Sequence, residues 1–142
     1  MTRIRPAVPA DRKRVTEIQQ QALAEPWPAL LATALEGPPP LYVADDGRPV
    51  GYCIVVPGGE QVLYVPELAV HPARQGEGLG SALLEALACE FDSHSELRLT
   101  MRAVDSGARE FYDAHGFEQV ERVADHFDSG DGIVLRKRLT ES

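Results

Sequence analysis

The chain has 142 residues, enough for one domain of ordinary size. With 44% hydrophobic and 25% charged residues it lies near the globular average, which excludes wholesale disorder, and its apolar runs are too short to span a bilayer. A formal net charge of −8 at pH 7 opposes attachment to nucleic acid or to an anionic membrane surface, so neither is expected as a partner. No basic segment followed by an apolar one marks a secretory signal, and the expected location is the cytoplasm. Cys53 and Cys89 form no C-x-x-C pair and read as buried free thiols, and His71, His94, His115 and His126 lack H-x-x-x-H spacing, so no metal site is expected.

Thr2 to Pro6 reads as a short edge strand. Pro9-Ala10-Asp11 then opens a helix running to about Leu23, with Val15, Ile18, Ala22 and Leu23 forming one apolar stripe. Pro26-Trp27-Pro28 breaks it, and Ala29 to Leu35 offers a second, short helix that stops at Gly37 and three prolines. Strands are expected at Leu41 to Ala44 and Pro49 to Val56, joined by the turn Asp45-Asp46-Gly47-Arg48. Pro57-Gly58-Gly59-Glu60 is the next turn, and Val62 to Val70 the strand after it.

That strand delivers the chain to His71-Pro72-Ala73-Arg74-Gln75-Gly76-Glu77-Gly78-Leu79-Gly80-Ser81, followed by a helix expected over Ser81 to Asp92. Three glycines at alternate positions let backbone amides converge on one ligand, and the helix N-terminus adds its own N–H groups and positive dipole end. A phosphate or pyrophosphate suits such a turn. A P-loop would need a lysine before the Ser, which is missing here, and a dinucleotide fingerprint would need G-x-G-x-x-G, whereas the spacing is G-x-G-x-G. The segment Gln75-x-x-Gly78-x-Gly80, after Leu68-Ala69-Val70-His71-Pro72, resembles the Q/R-x-x-G-x-G/A acyl-CoA loop of the GNAT N-acetyltransferase superfamily. The resemblance implies that Leu68, Ala69 and Val70 line the pantetheine arm. It likewise implies that Gln75, Gly76, Glu77, Gly78, Leu79, Gly80 and Ser81 hold the pyrophosphate of acetyl-CoA.

Further on, Leu97 to Met101 reads as a strand, Ser106 to His115 as a helix with Gly116 just past its end, and Phe117 to Val123 and Ile133 to Leu139 as strands. The polar loop Asp128-Ser129-Gly130-Asp131-Gly132 separates the last two. This α/β order is similar to that of the GNAT fold throughout. It implies a single domain over 1–142, a mixed sheet of about six or seven strands with about four helices, and splayed central strands forming the acyl-CoA cleft.

A second stretch, Asp105 to Phe117, is similar to the family's N-x-x-A-x-x-x-Y-x-x-x-G-F motif: Ala108, Tyr112, Gly116 and Phe117 match, and Asp105 replaces the asparagine. Thioester aminolysis expels a thiolate, so the resemblance makes Tyr112 the general acid and places Asp105 and Tyr112 beside the cofactor. A packed helix tyrosine is the plain alternative. Glu67, beside the expected cleft, is the candidate base or acceptor contact, against the reading of an ordinary surface acid.

The nearest likeness is to the RimI-type ribosomal-protein N-terminal acetyltransferase branch, through Glu17 to Pro28 and its Pro26-Trp27. That branch carries a glutamate where Thr100 stands, so either its mechanism does not carry over or the base moves to Glu67 acting through water, and it carries a Tyr-Tyr pair where His126-Phe127 stands. Trp27, Glu67, Thr100, His126 and Phe127 are thus the expected acceptor contacts. Trp27 also reads as a core plug between two helices. The expected acceptor is the α-amine of a protein or peptide. The alternatives are a small amine (polyamine, amino acid or aminoglycoside) and a non-catalytic acyl-CoA-binding domain; a monomer or homodimer is expected.

Overall fold

The computed structural model describes residues 2–58, 61–91 and 96–139, and the predicted positions Gly59, Glu60, Asp92 and His94 lie outside them. The described residues form a seven-stranded sheet of order β1-β2-β3-β4-β5-β7-β6 and four α-helices, as expected for the GNAT fold. The sheet is mixed: β4 and β5 pair in parallel, whereas β1 with β2, β2 with β3, β5 with β7 and β6 with β7 pair antiparallel. The chain divides into two compact units, Met1–Val56 with Val65–Phe91, and Pro57–Tyr64 with Asp92–Ser142.

The first unit holds β1 (Arg3–Pro6), α1 (Arg12–Ala22), α2 (Pro28–Glu36), β2 (Leu41–Asp45), nearly all of β3 (Pro49–Pro57), most of β4 (Val62–Val70) and α3 (Leu79–Glu90). The α1 stripe buries Val15 and Ile18 against Leu31 and Ala34 of α2 and against Leu41, Val43, Tyr52, Ile54 and Ala69 of the strands. Each buried Val, Leu or Ile side chain contributes about 1.5–3 kcal/mol by leaving water. Pro9–Asp11 forms a separate 3-10 turn rather than the first turn of α1. Its Asp11 carboxylate accepts from Val8 N at 2.8 Å and from both terminal nitrogens of Arg5, while Arg5 Nε donates to Asp45. One arginine therefore ties β1 to β2 and to the entry of α1.

Pro28, with its preset φ and no N–H to lose, opens α2 one residue before the expected start. The β2–β3 turn closes as predicted, with Gly47 N donating to the Asp45 carboxylate at 2.9 Å. α3 begins two residues earlier than the sequence suggests, because Gly78, in the left-handed region at φ +84°, serves as its N-cap.

The second unit holds β5 (Glu96–Arg102), α4 (Ser106–Ala114), β6 (Glu118–Phe127) and β7 (Gly130–Arg138). The first residues of β4, Val62–Tyr64, pair with Glu96–Arg98 of β5. Leu97, Leu99 and Met101 alternate to the buried face, with Leu135 opposite Leu99 and Ile133 opposite Met101. The predicted five-residue polar loop shrinks to Asp128-Ser129, and β6 runs on to Phe127. Asp131 draws the strand ends together: its carboxylate accepts from Asp125 N at 3.1 Å and from Arg122 Nε at 2.6 Å. Those contacts, the backbone amide first, hold the Asp131 carboxyl below its usual range.

Candidate active site

In the first unit, β4 ends where His71 N donates to Val50 O at 2.8 Å, and Pro72–Arg74 makes a 3-10 turn capped by His71 Nδ1, which accepts from Ala73 N. Gln75 Nε2 donates to Val70 O at 3.1 Å, tying the loop back to the strand it leaves. Gly76 and Gly78 have φ of +83° and +84°, and a Cβ at either would meet no protein atom within 4 Å. The glycines are therefore required by backbone angle rather than by crowding, and the faces they present are open. Leu79 turns into the core, whereas Glu77 pairs with Arg74, which also holds Asp46 at 2.6 Å. Of the strand residues before the loop, Leu68 and Val70 are half-buried and Ala69 is buried in the core. Gly80 and Ser81 lie in the first turn of α3, the end that favours an anion.

Glu67, expected as an acid facing the acceptor, is instead only 6% exposed. Gln19 Nε2 donates to both of its oxygens, at 2.9 and 3.2 Å, Tyr52 Oη donates at 2.8 Å, and Trp27 N donates at 2.8 Å. Burial, reinforced by the Glu67 charge, pushes the Tyr52 phenol far above its usual range, so it stays a proton donor. Trp27 is no core plug: it is 57% exposed, and only its backbone is held. Gln19 and Tyr52 were not foreseen as site residues. The signal for Gln19 is its place four residues after Val15, on a helical stripe otherwise apolar.

In the second unit, Asp105 is the N-cap of α4, its Oδ1 accepting from Ala108 N at 2.9 Å. The other end of α4 closes on Gly116 at φ +84°, with Phe117 N donating to Tyr112 O and Gly116 N to Asp113 O, both at 3.1 Å. These two bonds make a Schellman cap, and its usual apolar contact is the Phe117 ring lying edge-on to Tyr112, centroids 5.3 Å apart. Tyr112 is half-buried, and the Phe111 ring also lies edge-on to it, centroids 5.1 Å apart. Thr100 and His126 come together over Gly132, where an added Cβ would meet Thr100 Cγ2 at 2.8 Å and His126 Cβ at 3.0 Å. The Phe127 ring stacks edge-on against His126. The expected acceptor residues thus fall into two sets: Trp27 with Glu67 in the first unit, and Thr100, His126 and Phe127 in the second.

The model of the acetyltransferase (GNAT) domain matches residues 39–119, more than half of the chain, from just before β2 through the glycine loop and α4. The chain belongs to the GNAT acetyltransferase family. It is an acetyl-CoA-dependent N-acetyltransferase, and the open glycine loop at the head of α3 suits the cofactor's pyrophosphate. No curated protein matches this acetyltransferase.

Among solved structures it is similar to the ribosomal-protein-S18-alanine N-acetyltransferase from Escherichia coli, with 23% identity and a TM-score of 0.87 over 100% of this chain and 96% of that one. Ard1 from Thermoplasma volcanium gives 24% identity and a TM-score of 0.89 over 99% of each chain. The protein yncA from Salmonella typhimurium, solved with its cofactor acetyl-CoA, gives 20% and 0.81 over 100% of this chain and 96% of that one. Among the described residues no cluster of His, Cys, Asp and Glu could hold a metal ion, and no helix is long and apolar enough to cross a membrane.

Proposed function

We propose that this acetyltransferase, acting as one catalytic domain in the cytoplasm, moves the acetyl group of acetyl-CoA to the α-amine of a protein or peptide. The neutral nitrogen attacks the thioester carbonyl, a C–N bond forms, the C–S bond breaks, and the leaving thiolate takes its proton from Tyr112. The nitrogen releases its own proton to water. The observation that carries the choice of acceptor is the state of the carboxylates. Thr100 stands on β5 where the N-terminal-acetylating branch has a glutamate, and Glu67 is buried among its own donors. With neither of these two positions supplying a base, the acceptor that arrives already neutral is favoured. At pH 7 about one-tenth of an α-amine with pKa near 8 is neutral, against about 0.04% of a lysine-type amine, a gap of roughly 3 kcal/mol.

In this reading Gln75 to Ser81 hold the pyrophosphate, Leu68 to Val70 run beside the pantetheine arm, and Asp105 orders the helix that carries Tyr112. Trp27, Thr100, His126 and Phe127 contact the acceptor. The Escherichia coli and Thermoplasma volcanium relatives support the fold of such an enzyme. The net charge of −8 favours a second class of acceptor, a polycationic amine, through its long-range field.

Three acceptors separate the readings: a hexapeptide with N-terminal alanine, the same peptide N-terminally blocked but carrying one lysine, and spermidine. Coenzyme A thiol release at pH 7 should be at least about tenfold faster with the free α-amine. Turnover of spermidine without turnover of the free peptide would refute the α-amine assignment.

A further inference from the structure

The carboxylate of Glu67 is buried and surrounded by donors from three parts of the first unit: Gln19 on α1, Tyr52 on β3 and the Trp27 amide just before α2. An ionised carboxylate offers about four lone-pair sites. Oε1 accepts from Gln19 at 2.9 Å and Tyr52 at 2.8 Å, and Oε2 accepts from Trp27 N at 2.8 Å and Gln19 at 3.2 Å, which uses them all. No lone pair is left to receive a proton from an amine.

The far end of this network is Trp27. Its N–H is held by Glu67 and its carbonyl accepts from Leu31 N at 3.2 Å in the first turn of α2. The peptide groups on both sides of its Cα are pinned, while the largest apolar ring in the chain stands 57% exposed. An exposed tryptophan on an immobilised backbone gives a contact surface at low entropic cost, and nothing in the core requires it there.

We propose that Glu67 is a positioning residue of the acetyl transfer: through the Trp27 amide it sets the loop between α1 and α2 so that the Trp27 ring meets the acceptor, and it takes no proton from the amine. The proposal rests on the acetyltransferase reading of this site and deepens it by giving Glu67 a role in acceptor binding.

Glutamine can keep the network at position 67, with its oxygen accepting from Trp27 N and its amide donating to the Tyr52 oxygen and to a turned Gln19 carbonyl. Glu67→Gln should therefore keep kcat within about threefold of wild type and leave the acid limb of the kcat/KM pH profile in place. Glu67→Ala should raise the acceptor KM about tenfold or more while acetyl-CoA affinity, measured by calorimetry, stays within about twofold. Tyr52→Phe, a milder change for the case in which the alanine variant fails to fold, should raise the acceptor KM by about threefold in the same pattern. The acceptor is whichever of the N-terminal-alanine hexapeptide and spermidine turns over faster with the wild type. A kcat of Glu67→Gln about a hundredfold down, with the acid limb lost, would make Glu67 the base and overturn the proposal. Variants that lower only the melting temperature, with acceptor KM unmoved, would overturn it as well. The wild-type rate reports on the acetyltransferase reading itself, and the variant-to-wild-type ratios report on Glu67.

Discussion

Tyr112 shows how one residue can be legible in sequence for two reasons. Its spacing to Gly116 and Phe117 matches an acetyltransferase motif, and the same spacing builds the Schellman cap that ends α4 and lays Phe117 against its ring. The cap alone explains Gly116 and Phe117, but it places no demand on a phenol at 112. Tyr112→Phe keeps the ring contact and removes the hydroxyl with its acidic proton, so kcat should fall by about ten- to ten-thousandfold with acetyl-CoA affinity nearly unchanged. A fully active variant in a thiol-release assay would remove the acid role. Asp105 behaves differently: its carboxylate caps α4, so Asp105→Asn should be close to neutral in a urea melt while Asp105→Ala costs about 1 kcal/mol. Glu67 was singled out from the sequence but its environment was not legible there, because its partners come from positions 15, 40 and 48 residues away in sequence. Cys53 and Cys89 were both read as buried thiols. Cys53 is buried, with its pKa pushed up to about 12 by desolvation, while Cys89 is exposed. Iodoacetamide at pH 8 should therefore add once to the native protein, at Cys89, and a mass spectrum showing prompt double addition would contradict the packing of β3.

At the scale of elements, glycine and proline made most boundaries readable. Pro28 and Gly37 bracket α2, and Gly47 closes the β2–β3 turn. The errors are equally physical. The sequence placed the start of α3 at Ser81 because two glycines read as loop, yet Gly78 is the cap and Gly80 sits inside the helix. The β6–β7 loop looked five residues long because it is polar, but Asp131 folds back onto Arg122 and the Asp125 amide and turns most of it into strand. The glycine loop offers the sharpest test at this scale. Gly78→Val adds a branched side chain at φ +84°, a strained backbone for any L residue, on a face open to ligand. It should abolish acetyl-CoA binding in calorimetry while leaving the circular dichroism spectrum near wild type. Retained affinity would displace the pyrophosphate from this loop.

For the whole molecule, charge sets the response to pH. Asp11 is nearly buried, and hydrogen bonds from Arg5 hold its carboxyl below the usual range. Because its folded pKa lies below its unfolded one, the unfolded chain binds more protons as pH falls through about 4, and the stability present above that pH is lost below it. The melting temperature should drop from pH 6 to pH 3, and Asp11→Asn, already lower at pH 6, should show a shallower drop. A steeper drop in the variant would show that Asp11 does not carry this part of the acid limb. The order of strands and helices was legible from periodicity and turns, whereas the sheet of about six or seven strands was an implication of the family resemblance, and seven are found. The choice of acceptor was not, because it depends on side chains that share no motif. The function proposed from the family, the glycine loop and Tyr112 is direct transfer from acetyl-CoA to an amine. Initial rates of thiol release, with acetyl-CoA and the N-terminal-alanine hexapeptide varied together, test that most directly. Intersecting double-reciprocal lines are the predicted result, as both substrates must be bound before chemistry. Parallel lines would reveal an acetyl-enzyme, and contradict the account.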